Sequence, residues 1–178
     1  WSAMSSGTTS SLLGVWGSSG SDVFAVGVGG TILHSDGLAR AAMSSGTIKH
    51  LYDVWGSSGS DVFAVGQDGT ILRYDGLGWA AMSSGTSTPL WGVWGSSGSD
   101  VFAVGSGVFL HYDGVSWSTM STGSSSFFWD IWGSSASNVF AVGESGAILH
   151  YDGLGWSAMS SPTINTLNGV WGSSASNV

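Results

Sequence analysis

Residues 94–105 read WGSSGSDVFAVG, and the same twelve letters stand at 16–27 and 55–66. A close variant, WGSSASNVFAVG, occupies 132–143, and WGSSASNV follows at 171–178. Taken from the tryptophan of each copy (Trp16, Trp55, Trp94, Trp132 and Trp171), the spacing is 39, 39, 38 and 39 residues. A fixed period of this length restricts the fold more than any local pattern does. Each unit is one small module that buries its apolar faces only by stacking on its neighbours. The single 38-residue unit reads GSGV at 105–108 where its counterparts read GVGGT, GQDGT and GESGA. Losing one residue is tolerated in a turn and not inside a paired strand, so this stretch is expected to be a turn.

Each unit divides into four short runs. The first is LLGVWG and its copies LYDVWG, LWGVWG, FWDIWG and LNGVWG; the second is DVFAVG or NVFAVG. The third is TILHSDG, TILRYDG, VFLHYDG or AILHYDG, and the fourth is WSAM or a variant, led by Trp1, Trp79, Trp117 and Trp156, with Arg40 replacing tryptophan once. Val, Ile, Phe, Tyr and Trp fill the runs, while Gly, Ser and Asp separate them, which is the grammar of strands and hairpins. Helical periodicity is absent, and each of the four runs is shorter than ten residues. DVFAVG is apolar at both parities, as a strand covered on both faces requires. Four antiparallel strands per unit of this size predict an all-β propeller of four-stranded blades, spanning 1–178 as one domain.

The succession G-V-W, D-V-F-A-V-G-x-x-G-T-I-L-H-Y-D-G-x-x-W resembles the repeats of BNR/Asp-box propellers, and especially of the Ycf48-like photosystem assembly proteins. In those an AVG-x-x-G-T-I core leads into a D-G turn and a tryptophan. The resemblance covers essentially the whole chain, once per unit, and implies the propeller fold. An Asp-box sets tryptophan five residues after aspartate; here Asp75 precedes Trp79 by four, and His or Arg stands where its serine would be. Sialidase-type catalysis in that superfamily uses an arginine cluster, and this chain has only Arg40 and Arg73, so the activity does not carry over. A looser similarity is to tachylectin-like lectins, which implies amino-sugar pockets between blades.

The four complete repeats are flanked by partial ones: a fourth run at residues 1–4 and a second run ending at Asn177–Val178. Two arrangements are expected from this. Either the chain is part of a longer propeller, or two copies form a homo-oligomer, a dimer that shares incomplete blades, since unpaired strand edges recruit partners. Eleven acids against three cations give a net charge of −8 without a basic cluster, which disfavours nucleic acid and anionic membrane surfaces as partners. No apolar stretch approaches the length of a membrane-spanning helix, and the opening residues lack the basic and apolar regions of a signal peptide. Cysteine is absent, which excludes thiol chemistry and leaves the compartment open, a bacterial secreted or cell-surface setting included.

Chemistry is weakly signalled. The column Asp22, Asp61, Asp100, Asn138 and Asn177 exchanges Asp for Asn, which suits turn residues satisfying backbone N–H groups. Asp36, Asp75, Asp113 and Asp152 each precede glycine and read the same way. His34, His111 and His150 share a column with Arg73, but equivalent positions on different blades do not converge as metal ligands must. No serine shows a recurring His–Asp partner nearby in sequence, no phosphate-binding loop is present, and neither metal, cofactor nor catalysis is implied.

The variable columns carry more information. One reads Leu13, Tyr52, Trp91, Trp129 and Asn168, and the loops before it read SSGTIKH, SSGTSTP, STGSSSF and SSPTINT. Aromatic rings beside small polar loop residues mark Tyr52, Trp91 and Trp129, with Lys49 and His50, as candidate ligand-binding residues. The sequence therefore points to a non-enzymatic repeat scaffold for protein or glycan recognition that self-associates through incomplete terminal blades. The alternative is a carbohydrate-binding lectin with sugar pockets between blades.

Overall fold

The computed structural model describes residues 5–174 and 177–178. Blade 1 comprises β1 (Leu12–Ser19), β2 (Asp22–Gly27), β3 (Ile32–Ser35) and β4 (Arg40–Met43). Blade 2 comprises β5 (Leu51–Ser58), β6 (Asp61–Gly66), β7 (Ile71–Tyr74) and β8 (Trp79–Met82). Blade 3 follows with β9 (Leu90–Ser97), β10 (Asp100–Gly105), β11 (Phe109–Tyr112) and β12 (Trp117–Thr119). Blade 4 holds β13 (Phe128–Ser135), β14 (Asn138–Gly143), β15 (Ile148–Tyr151) and β16 (Trp156–Met159). Each is an antiparallel meander in chain order, and the first strands pack in succession: β1 on β5, β5 on β9, β9 on β13. The first strands therefore line the axis, and the fourth strands form the rim. This is the β-propeller architecture that the period predicts.

The apolar pattern of the second strand follows from its two interfaces. Phe24 and Val26 of β2, with Ile32, pack against Val62, Ala64, Leu72 and Tyr74 of blade 2. Phe63 and Val65 of β6, on the opposite parity, pack with Ile71 against Val101, Ala103, Leu110 and Tyr112 of blade 3. Alternate residues of one VFAV run thus serve alternate neighbours, and each fully buried Phe or Val contributes about 1.5–3 kcal/mol. The same arrangement joins blades 3 and 4.

The invariant Trp-Gly pair has a packing cause. A Cβ placed on Gly56 would stand 2.7 Å from the Trp16 ring; Gly95 meets Trp55 in the same way, and Gly133 meets Trp94. The tryptophan of one blade lies over the glycine of the next. The fifth copy follows suit, with Gly172 against Trp132 and the Leu167 N–H donated to the Gly143 carbonyl.

Two details refine the sequence reading. The first strand runs on beyond LLGVWG through Ser18 and Ser19, so the hairpin turn is only Gly20–Ser21 and its equivalents. The fifth first-run copy, 167–172, docks on blade 4 without forming a ladder, because a strand needs a paired neighbour and the second run is represented there by Asn177 and Val178. The fourth-run copy at residues 1–4 lies outside the described residues. The one-residue deletion does fall in a turn: Gly105 N–H closes on Val108 where Gly66 N–H closes on Thr70.

Candidate functional site

Every first strand carries two β-bulges. In β5, Leu51 opposes Gly66 and Asp53 opposes Val65, which leaves Tyr52 as the extra residue; Leu13, Trp91 and Trp129 occupy the same bulge in β1, β9 and β13. A bulge re-aims the side chain it carries. Here it turns the variable column toward its counterparts on adjacent blades. Tyr52 and Trp91 stack with centroids 4.2 Å apart and planes 22° from parallel. Trp91 meets Trp129 at 5.0 Å, and Phe127 meets Trp129 edge-on at 6.5 Å. The outcome is one aromatic row across blades 2, 3 and 4 at the end of the axis that also holds the loops joining successive blades.

The sequence candidates separate on this geometry. Tyr52, Trp91 and Trp129 come together, but as a self-stacked row, so the space between the Tyr52 and Trp91 rings is filled by the rings themselves. His50 reaches the row edge-on at 6.5 Å, yet its Nδ1 accepts the Gly29 N–H at 3.0 Å and fastens blade 2 to blade 1. Lys49 is ion-paired to Asp68 at the surface. Around Trp129 the sequence reading missed three residues. The Trp91 Nε1–H donates to Ser106 Oγ at 3.2 Å, Ser106 is bridged to Phe127, and the Glu144 N–H donates to the Phe127 carbonyl at 3.0 Å. The Trp129 Nε1–H is buried without an acceptor, and Glu144 has no side-chain partner among the described residues. Comparing blade 3 with blade 4 at the residue after β10 and β14, Ser106 against Glu144, is the sequence signal that could have singled them out.

The second bulge organises the serines. Ser18 Oγ donates to Asp22, whose other oxygen bonds His34 Nε2 at 2.6 Å. Blade 2 has Ser57, Asp61 and Arg73, at 2.6 and 2.8 Å; blade 3 has Ser96, Asp100 and His111. In blade 4 the Asn138 amide donates to Ser134 at 2.8 Å, and its Oδ1 bonds His150 at 2.7 Å. The aspartate column is therefore not a set of turn residues, and a Ser–Asp–His association recurs after all. The Asp22 carboxyl is held below its usual range, first by the Ser18 hydroxyl and then by His34. A nucleophilic serine needs the imidazole between itself and the acid. Here the acid is in the middle, so serine and histidine each take one oxygen of the same carboxylate and the set clamps three strands together. Arg73 adds a link of its own, lying 5.0 Å above the Phe63 ring and donating to the Tyr112 hydroxyl of blade 3 at 3.2 Å.

The second aspartate column behaves as expected for turns. Asp75 Oδ1 accepts the N–H groups of Leu77 and Gly78 at 2.9 and 3.0 Å, and Asp36, Asp113 and Asp152 repeat this.

No protein-family model matches the chain, and no curated protein does. Solved structures do. A Ycf48 from Cyanidioschyzon merolae superposes with a TM-score of 0.67 at 16% identity, over 91% of this chain and 60% of that one. A Ycf48 bound to a D1 peptide gives 0.61 at 14%, over 85% and 53%. The WD40 repeats of RRP9 give 0.72 at 7%, over 93% and 57%. The chain thus shares the propeller fold of these proteins and spans a little over half the length of each.

Proposed function

We propose that this chain is a non-enzymatic propeller scaffold that recognises protein segments at the axial aromatic row. The observation that carries the reading is the convergence of Tyr52, Trp91 and Trp129 on one surface by a bulge repeated in every blade. Large, rigid, half-buried aromatic rings are the side chains that anchor interfaces. The Ycf48 bound to a D1 peptide supports it as an instance of this architecture holding a peptide. The clamped order of serine, acid and histidine supports a structural role over a hydrolytic one. A carbohydrate ligand is less well served, because a sugar stacks on an open ring face and the facing sides of Tyr52 and Trp91 are closed on each other at 4.2 Å. Peptides selected from a displayed random library should bind the wild-type chain and lose affinity for Trp91→Ala. Equal affinity for both proteins contradicts the proposal.

Self-association belongs to the same reading. Trp171 is 74% exposed, whereas its four counterparts each cover a glycine. Gly17 is the matching position at the other end of the row of blades, and its nearest neighbours are Asp22, Ser19 and Val23 of its own blade. Leu12 and Val15 are open beside it, while Leu51 and Val54 of blade 2 are buried. A cavity of about 210 Å³ on that face is lined by Leu12, Val23, Ala25 and Leu33 together with Ser6, His34, Ser35 and Arg40. The two end faces are the halves of an interface made three times inside the chain, and a second copy or further blades would complete it. The mass in solution tests this; a monomer that stays monomeric on concentration contradicts association between copies.

A further inference from the structure

We infer that the blade 4 end of the aromatic row is a binding site for a cationic peptide side chain, a lysine carried on an extended segment. This rests on the protein-recognition reading and names the chemistry of the partner. Three features meet there. Phe127, which is 42% exposed, and Trp129 supply ring surface and set their rings edge to face. Glu144 holds a carboxylate with no partner among the described residues, and its own N–H is fixed to the Phe127 carbonyl. The Trp129 Nε1–H is a buried donor lacking an acceptor.

Comparison with blade 3 shows why this end differs from the rest of the row. At the equivalent place Ser106 takes the Trp91 indole N–H, and that site is internally satisfied. In blade 2 the corresponding Gln67 accepts the His50 N–H at 3.3 Å and is likewise spent. Within the aromatic row, among the described residues, only blade 4 leaves both an indole donor and a side-chain acceptor open; the outer indoles of Trp79, Trp117 and Trp156 also lack acceptors. A buried unmatched donor is costly unless something completes it. A lysine-bearing peptide does so on every count. Its backbone carbonyl accepts from Trp129 Nε1, its ammonium meets Glu144, and its stem and charge lie against the rings.

The charge balance of the chain points the same way. There are eleven acids and three cations. Lys49 is paired with Asp68, Arg73 is paired with Asp61, and Arg40 donates to the Ser5 carbonyl. The chain as a whole carries an excess of carboxylate, so a basic segment is attracted to it and an acidic one repelled.

Calorimetric titration tests the inference with three blocked peptides of alternating sequence: alanine–lysine, alanine–norleucine and alanine–glutamate. The lysine peptide should bind at least about tenfold tighter than the norleucine one, with affinity falling as salt rises, and the glutamate peptide should not bind. Glu144→Gln keeps the side-chain shape and should erase the preference for lysine without abolishing norleucine binding. Trp129→Phe keeps a ring, removes the donor, and should weaken the lysine and norleucine peptides alike. If lysine and norleucine peptides bind equally, or if Glu144→Gln leaves the preference intact, the inference is overturned while peptide recognition stands. If none of the three binds, the inference is overturned, and recognition is then judged by the displayed-library selection.

Discussion

Asp53 accepts the Val93 backbone N–H at 2.9 Å, across the boundary between blades 2 and 3. Asp130 does the same for Val170 at 2.8 Å, between blade 4 and the fifth copy of the first run. The intervening members of the column are glycines. A Cβ on Gly14 would stand 2.8 Å from the Asp53 Cα, and one on Gly92 would stand 3.1 Å from the Asp130 Cα. Inner strands therefore meet in two alternating ways, by close backbone approach and by a carboxylate bridge.

Stability should fall as pH rises through neutrality, because of Asp53. Burial pushes its carboxyl up to about 7, against the pull of the Val93 and Val54 N–H groups, with the Asp130 charge adding to the rise. Asp130 is raised by burial as well. A carboxyl with a raised folded pKa binds its proton more tightly in the folded state. Its contribution is present at low pH and is lost between the ordinary carboxylate range and about pH 7. Urea unfolding at about pH 5 and about pH 8 should differ by roughly 2–3 kcal/mol from this group. Asp53→Asn should flatten the difference, and an unchanged pH dependence in that variant would refute the assignment.

On the acid side the sign reverses. Asp22 is held low by Ser18 and His34, and Asp36, Asp75, Asp113 and Asp152 by backbone N–H groups of their own turns. Their stabilisation is present above the ordinary carboxylate range and disappears as pH drops below it. Between about pH 5 and about pH 2, Asp22→Asn should lose less stability than the wild type; an identical loss excludes Asp22 from the acid limb.

Gly95→Ala tests the stacking of blades. The new methyl group would stand 2.7 Å from the Trp55 ring and the Asp100 carbonyl. Overpacking of this kind costs about 1–3 kcal/mol, read as a lower urea midpoint at an unchanged slope. A midpoint within error of the wild type would mean that the Trp–Gly contact is not tight in solution.

The strand clamp makes a graded prediction. Asp100→Asn reproduces what blade 4 already has in Asn138, and should cost less than about 1 kcal/mol. Asp100→Ala removes the acceptor shared by Ser96 and His111 and should cost about 1–3 kcal/mol. Equal losses would show that the serine and histidine find other partners.

Much of the architecture was legible because it is a matter of period and parity. The 39-residue repeat fixed the number of strands per blade, and VFAV at both parities implied two buried faces. What stayed hidden depends on partners across a ladder. Tyr52 becomes an outward-turned residue only because Leu51 and Asp53 both pair with β6, and nothing in LYDVWG reveals that offset. The link from Asp22 to His34 joins two columns that looked independent, since a cross-strand contact at twelve residues' separation leaves no local pattern. Variability marks Trp91 as a candidate ligand contact; its stacking on Tyr52 and its bond to Ser106 follow from the convergence of neighbouring blades, which leaves no local pattern.

Amide hydrogen exchange with and without a selected peptide tests the central claim, that recognition occurs at the axial aromatic row. The account predicts slowed exchange at residues 49–53, 89–92, 106–109 and 127–130, with the outer strands and the opposite turns unchanged. Protection confined to the fourth strands, or to the turns at Leu38, Leu77, Val115 and Leu154, would contradict it.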